Sequence, residues 1–286
     1  MANLKGGSYE KQVKDAFHRL EAFGKGRHGK SDHMTHSDGV ATKREMYLKD
    51  YKAFVEQNGF TEKLNRTITN ENIQTFLNQR LEGLKASTQE NYTRGFSSML
   101  EGLKEANITI SVDKELFNSK VAEIKENRVN TIVTNRAITN PSTVISNLYD
   151  KRYESGVLAQ VQNELGLRIS ESFKIVENLE SYYNPSNGTI ENLIGKGNHT
   201  YEAKAISFEL IEKIKACDAI PSQNSYRNDL KSVGVDHSHD WRYTYAKSEF
   251  EAKIESGVEY NQALREVSEE LNHSRGSMTL FYLSKS

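Results

Sequence analysis

The chain has 286 residues, 36% hydrophobic and 27% charged, with 38 Lys+Arg against 39 Asp+Glu for a formal net charge of −1. That length suits about two domains, each with its own core. The single cysteine, Cys217, excludes an internal disulfide and a cysteine-based zinc cluster, and there is neither a signal peptide nor an apolar run near the ~20 residues of a membrane helix, so a soluble cytoplasmic protein is expected.

Near-neutral charge weighs mildly against a duplex-binding protein, because such binding draws on phosphate neutralisation. The charge is unevenly spread, however. Residues 1–128 carry 21 Lys+Arg against 18 Asp+Glu, and residues 129–286 carry 17 against 21. Positive charge is concentrated towards the N-terminus, so any basic surface on the C-terminal half must come from folding.

Ser8 to Phe23 places Val13, Phe17, Leu20 and Phe23 at helical spacing with Gly24 as a stop. The following GKGRHGKSDHMTHSDGV is rich in Gly and His and carries Lys25, Arg27 and Lys30. Two readings are open for it, a basic arm along a phosphate backbone or an ordinary loop. His28, His33 and His36 have no accompanying cysteine, which argues against a metal site. Residues 1–41 are therefore read as an N-terminal helix and a basic flexible segment.

Four amphipathic helices are predicted over 42–127. Thr42 and Glu45 form a capping-box pair ahead of Tyr47, Leu48, Tyr51, Phe54 and Val55, ending at Gly59. Thr69 to Lys85 carries Ile73, Phe76, Leu77, Leu81 and Leu84. Ser87 and Glu90 make a second capping box before Tyr92, Phe96, Met99, Leu100 and Leu103. Asp113 caps a fourth helix with Leu116, Phe117, Val121 and Ile124. Short connections predict a compact helical bundle whose apolar residues form core.

Residues 126–141, ENRVNTIVTNRAITNP, break the helical period, and 128–141 read as an interdomain linker. Beyond it, a helix from Ser142 carries Val144, Leu148 and Tyr153. A second, after Gly156, holds Leu158, Val161 and Leu165, and another begins near Ser170. Thr189 to Ser207 is a β region, in which TIENLI and TYEAKAIS flank the turn Gly195-Lys196-Gly197-Asn198, its glycines placed where positive φ is needed. A helix over 207–216 has Phe208, Ile211 and Ile214 on its core side, and 221–236 is a polar segment. The last helix, from Tyr260, carries Ala263, Leu264, Val267 and Leu271. The fold class is thus mainly α with a small β-sheet.

The last fifty residues hold a chemically coherent set. His239 and Arg242 stand in an H-x-x-R arrangement that places them one helical turn apart, His273 follows Leu271 and Asn272, and Tyr282 lies nine residues later. Trp241 and Tyr243 point elsewhere and read as packing. A phenol ionises near pKa 10, so at pH 7 roughly one in a thousand is the nucleophilic oxyanion. Attack on a phosphodiester therefore needs a proton acceptor at the phenol and cations for the charge that builds on phosphorus. A planar guanidinium binds two phosphate oxygens through a fork that lysine lacks, and a second arginine, Arg168, lies upstream in ELGLRISE. Glu171 either orients Arg168 or is a helix N-terminal acid favoured by the dipole.

ELGLRISE, HDWR, LNHS and a tyrosine nine residues after that histidine resemble the ordered motifs of the tyrosine recombinases, or phage integrase family, and the likeness runs from about Thr42 to the end. The resemblance implies a SAM-like helical core-binding domain over 42–127 and a mixed α/β integrase catalytic domain over 142–286. It implies a site-specific recombinase that forms a 3′-phosphotyrosine bond without ATP, metal or other cofactor. Tyr282 is the nucleophile, Arg168 and Arg242 hold the non-bridging oxygens, His273 supplies a third hydrogen bond and His239 assists proton transfer. Lys196 matches the family's hairpin lysine, the general acid, with Lys204 as the alternative. Lys85, Thr88, Gln89 and Arg94 would face DNA. The implied partners are duplex recombination sites, bound by homodimers that pair into tetramers in the nucleoid, with no membrane, in the service of a mobile element or of replicon-dimer resolution. A type IB topoisomerase and a catalytically silent accessory DNA-binding protein are the rival readings.

Three features depart from the family pattern. SEFEAKIESGVEY lengthens the segment between Arg242 and His273, read as a helix extension. Asn272 stands where glycine is common, which a left-handed backbone there would accommodate. Only four residues follow Tyr282, so assembly through another surface, or a truncated or simplified tail, is expected.

Overall fold

The computed structural model describes residues 4–25, 32–128, 135–196, 199–273 and 275–286. Two compact units divide the chain, Met1–Asn130 and Thr131–Ser286.

The first unit is helical. Ser8 caps α1 (Tyr9–Leu20) by accepting from the Lys11 N–H, and α2 (Asp38–Gln57) and the single turn α3 (Leu64–Thr67) follow. Thr69 caps α4 (Asn70–Leu81) through the Asn72 N–H, and α5 (Ala86–Glu105) and α6 (Lys114–Glu126) complete the unit. Their apolar faces meet in one core that includes Leu48, Tyr51, Phe76, Phe96 and Leu100. Residues 9–20, expected as a segment ahead of the bundle, add Val13, Ala16 and Leu20 to that same core.

Several expected boundaries move, each for a local reason. The first helix stops at Leu20 because Glu21 turns extended and pairs with Thr35, leaving Phe23 45% exposed. The Thr42/Glu45 capping box does not form: α2 begins at Asp38, and the Thr42 hydroxyl instead donates back to the Asp38 carbonyl, as mid-helix threonines do. Nor does Ser87/Glu90 cap a helix, since α5 starts at Ala86 behind Lys85 and Glu90 pairs with Arg94. Asp113 precedes α6, but its carboxylate accepts from Asn70 Nδ2 instead of capping the helix.

In the second unit Pro141 opens α7 (Pro141–Lys151), its fixed φ and missing N–H suited to that position. The break before α8 (Tyr153–Leu165) falls at Arg152, which is extended, and not at Gly156. Gly156 lies inside α8, where the Tyr149 ring occupies the space of a side chain. Next come α9 (Ile169–Glu177), α10 (Leu179–Tyr182) and a three-stranded antiparallel sheet in the order β1-β2-β3. The strands are β1 (Tyr183–Asn184), β2 (Thr189–Ile190) and β3 (Lys204–Ala205), with Tyr183 opposite Ile190 and Thr189 opposite Ala205.

Ser207 caps α11 (Phe208–Lys215). Its buried side chains are Leu210, Ile211 and Ile214, while Phe208, expected in the core, is 74% exposed. At 100° per residue Phe208 falls outside the arc those three define. The polar segment over 221–236 holds a helix, α12 (Gln223–Ser232), which buries only Tyr226, Asp229 and Leu230 and so shows little apolar period. The chain ends with α13 (Asp240–Glu255), α14 (Tyr260–Glu270) and α15 (Ser277–Leu283). The long segment after Arg242 is a helical extension of α13 tied to α14 by Lys253, 3.0 Å from both Glu266 and Glu270.

One core gathers α7, α8, α9, α11 and α12 around Leu148, Leu158, Ile175, Leu210 and Trp241. A smaller one joins Tyr243, Tyr245, Ala246, Val267, Leu271 and Tyr282. Of the expected linker, residues 129–134 lie outside the described residues, and 135–140 belong to this unit. Arg136 forms an ion pair with Asp240 and covers the Tyr243 ring at 4.4 Å, its N–H bonds the Lys285 carbonyl, and the Ile138 N–H donates to Thr244 Oγ1. Among the described residues no helix is long and apolar enough to cross a membrane.

Candidate active site

Four helix ends converge in the second unit. Helix α8 stops at Gly166, whose φ of 64° is left-handed and whose missing side chain leaves room for the Tyr245 ring. Two residues on, Arg168 is the N-cap of α9. One oxygen of Glu171 accepts from the Arg168 N–H at 2.8 Å, and the other accepts from its Nη1 at 3.0 Å. Both sequence readings of Glu171 therefore hold at once, because its two oxygens do different work.

His239 precedes α13, and Arg242 sits in its first turn. At the far end of α14, Asn272 is left-handed at φ 55°. Its N–H bonds the Glu269 carbonyl and the His273 N–H bonds the Ser268 carbonyl. That is a Schellman ending, and it fixes the direction in which His273 leaves the helix. Helix α15 then presents Tyr282.

Arg242 is wholly buried, and the surroundings explain how its charge is tolerated. Nη1 donates to the Gly166 carbonyl at 2.6 Å and Nη2 to the Leu271 carbonyl at 2.7 Å, both at helix C-termini where the dipole favours a cation. The remaining donors reach Tyr282 Oη at 3.4 Å, His273 Nε2 at 3.1 Å and Tyr201 Oη at 3.4 Å. A guanidinium has five N–H groups, and all five are engaged. Arg168 differs. Only its Nη1 bonds other side chains among the described residues, Glu171 and Tyr201, and the residue lines a cavity of ≈ 680 Å³ together with Lys196, His239, His273 and Tyr282.

Tyr201, which the sequence reading did not single out, connects the two guanidiniums. Its hydroxyl donates to Glu171 Oε2 at 2.7 Å and accepts from Arg168 at 3.1 Å and Arg242 at 3.4 Å. Burial, partly offset by Arg242, pushes this phenol up to about 12, so it stays a neutral bridge. Burial also opposes the charge on Glu171, but hydrogen bonds from Tyr201 and Arg168 outweigh it and hold the carboxyl below its usual range. For Arg168 burial works against the charge, and neighbouring Tyr201 and Glu171 more than restore it.

Three groups surround the Tyr282 oxygen: His239 Nε2 at 3.2 Å, Arg242 Nε at 3.4 Å and His273 Nε2 at 3.4 Å. Burial and then the nearby arginines lower both imidazoles to about 4, leaving them neutral at pH 7. Because Arg242 can only donate, His273 Nε2 accepts from it, and the His273 proton resides on Nδ1. His239 Nε2 is then the open acceptor for the phenol proton.

The turn from Gly195 borders the same cavity. Lys196 is exposed on its wall, while Gly197 and Asn198 lie outside the described residues. Gly195 has no positive φ, contrary to expectation. It is required by close approach, since an added Cβ would stand 2.8 Å from the Tyr201 ring and 3.0 Å from Glu171. Lys204 does not line the cavity. It lies over the Tyr245 ring at 5.1 Å, and burial lowers its ammonium to about 8.

The expected DNA-contacting residues are in the first unit. Lys25, Lys85, Thr88 and Arg94 are exposed, the last bonded to Glu90 at 3.1 Å. Gln89 is committed internally, its amide donating to the carbonyls of Leu81 and Leu84 at the end of α4. Arg27, Lys30 and His28 lie outside the described residues. His36 bonds Asp32 and the Lys25 carbonyl, and His33 lies beside Ser98. Among the described residues no group of three His, Cys, Asp or Glu is placed to hold a metal ion.

Among solved structures, the crystal structure of XerA recombinase is similar to this one, at 15% identity and a TM-score of 0.38, across 83% of this chain and 86% of that chain. No family model matches the chain, and no curated protein matches it in sequence. The site's own geometry carries the functional reading.

Proposed function

We propose that the chain is a DNA strand transferase of the site-specific recombinase type, which cleaves and rejoins DNA through a 3′-phosphotyrosine bond. The observation that carries this reading is the setting of one phenol oxygen, with Tyr282 Oη 3.2 Å from His239 and 3.4 Å from both Arg242 and His273. A buried tyrosine kept only for packing needs one hydrogen-bond partner. This one faces a neutral base and a guanidinium together, beside a cavity lined by further cations.

In the reaction a scissile phosphate enters that cavity and meets the open side of Arg168. To reach Arg242 it must take over donors now given to Tyr282 and His273, so α15 shifts as the substrate binds. The phenol proton passes to His239 Nε2 as Tyr282 Oη bonds phosphorus, and the P–O5′ bond breaks. The leaving 5′-oxygen takes its proton from Lys196 Nζ. Each proton transfer is worth roughly 10²–10⁴ in rate, and the guanidiniums stabilise the charge on the non-bridging oxygens. The phosphotyrosine ester keeps the energy of the broken bond, so a 5′-hydroxyl from another strand reverses the step without ATP. Lys25, Lys85, Thr88 and Arg94 are proposed to meet the duplex backbone.

A pool of nicked suicide duplexes of randomised sequence, incubated with the protein in EDTA, tests this. An SDS-resistant protein–DNA adduct is expected with the natural chain and not with Tyr282→Phe. No adduct from the natural chain defeats the reading, and an adduct that survives Tyr282→Phe defeats the choice of nucleophile.

A further inference from the structure

We infer that Asn272 is a positioning residue that sets the Lys196 turn against the phosphate pocket, an inference that rests on the strand-transfer reading above. Its side chain leaves the α14 ending and donates from Nδ2 to the His199 carbonyl at 3.0 Å. The same carbonyl accepts the Gly195 N–H at 2.9 Å across the turn that carries Lys196. One oxygen thus closes the turn and ties it to the residue that precedes His273.

The neighbouring contacts leave the base of the turn little freedom. Ile194 pairs with Thr200, and Lys174 of α9 donates to the Ile194 carbonyl at 3.0 Å. A Cβ on Gly195 would stand 3.1 Å from Asn272 Nδ2, so the amide lies against the turn backbone. Asn272 itself lines the cavity with Lys196 and His273. Its backbone directs a phosphate-side imidazole while its amide holds the turn of the proton donor, which couples the two sides of the reacting phosphate through one residue.

Backbone preference alone would select against this residue. At φ 55° glycine carries no Cβ penalty and is the usual choice at this helix-ending position. Asparagine tolerates the conformation and adds a donor that glycine lacks. Asn272→Gly is therefore expected to fold at least as well, with an unchanged or higher Tm, while losing only the tie.

The discriminating measurement uses a duplex selected from the pool above, prepared with an ordinary phosphodiester or with sulfur replacing the bridging 5′-oxygen at the mapped cleavage position. A thiolate leaves without needing a proton, so the sulfur substrate bypasses Lys196. Asn272→Gly is expected to slow cleavage of the ordinary duplex about tenfold or more, short of the roughly 10²–10⁴ that complete loss of the general acid would cost, and to cleave the sulfur duplex at the natural rate. Lys196→Ala should show the same pattern more strongly. Equal slowing on both substrates would place the damage in the phosphate pocket and overturn the inference, as would a natural rate on both. An absence of adduct from the natural chain removes the strand-transfer reading itself, and this inference with it.

Discussion

The two units solve opposite problems in their interiors. In the first, rings interlock. Tyr47 and Tyr92 stand 4.7 Å apart, Tyr51 and Phe76 5.2 Å, and Phe76 and Phe96 5.2 Å, mostly edge-to-face or tilted. Such pairs stabilise through contact area and ring geometry. The second has apolar cores as well, but beside them it buries a guanidinium with every N–H engaged, next to Glu171 and a phenol bridge. An apolar interior loses stability in proportion to the volume removed. A buried charge is tolerated only while its partners are in place, so the second interior exchanges robustness for a fixed electrostatic geometry.

The sharpest way to break this contrast is Arg242→Ala. It removes a charge stabiliser, a loss of about 10²–10³ in rate by analogy with removing one oxyanion donor, and strands the Gly166 and Leu271 carbonyls at about 1–3 kcal/mol each. Adduct formation and urea unfolding should therefore both collapse, and near-natural behaviour in either would refute the role given to this arginine. Phe96→Ala probes the other interior. An aromatic-to-alanine change in a packed core costs about 3–5 kcal/mol, read as a lower urea midpoint with an unchanged slope; a loss under about 1 kcal/mol would show the ring cluster to be looser than its spacing implies.

Tyr201→Phe is subtler, because it keeps the ring and deletes only the bridge. Hydrogen bonds to charged groups are worth about 1.5–3 kcal/mol of stability, so Tm should fall, and adduct formation should slow by up to about 10- to 100-fold as the two guanidiniums lose their common partner. A fall in Tm with no change in rate would assign Tyr201 to packing alone.

The smallest effect concerns protons. His239 and His273 are held near 4 in the folded chain against about 6.5 when unfolded. Between those values the unfolded chain binds more protons, so stability is unaffected above about pH 6.5 and falls as pH drops towards 4. NMR titration of the free protein should find both imidazoles neutral at pH 6, and a midpoint near 6.5 for either would show that its surroundings are wetter and less cationic than the geometry implies.

Much of the first unit was legible because its helices are one-sided. The stripes of Tyr47 to Val55 and Ile73 to Leu81 repeat at the helical period, and Thr69 announces its helix with a side chain that does cap it. Helix starts are ambiguous where two local signals compete, as at Thr42, whose hydroxyl serves equally well inside a helix. In the second unit, α12 leaves no apolar period in the sequence because it buries only Tyr226, Asp229 and Leu230, of which two are apolar or aromatic. Tyr201 gave no signal either. Only a search for a phenol near the two arginines would find it, and that requires knowing the fold.

The order of residue types along the chain was enough to propose a phenol, two guanidiniums and two imidazoles for one reaction, because chemistry constrains which groups serve a phosphodiester, and the family resemblance added the lysine. Tertiary structure alone decided that Arg242 is saturated while Arg168 faces the cavity, that Lys196 borders the cavity and Lys204 does not, and that Gly195 is needed for close approach. The reason is physical. Residue type and period are local properties, whereas burial, pairing and access depend on segments dozens of residues apart meeting at the ends of four helices.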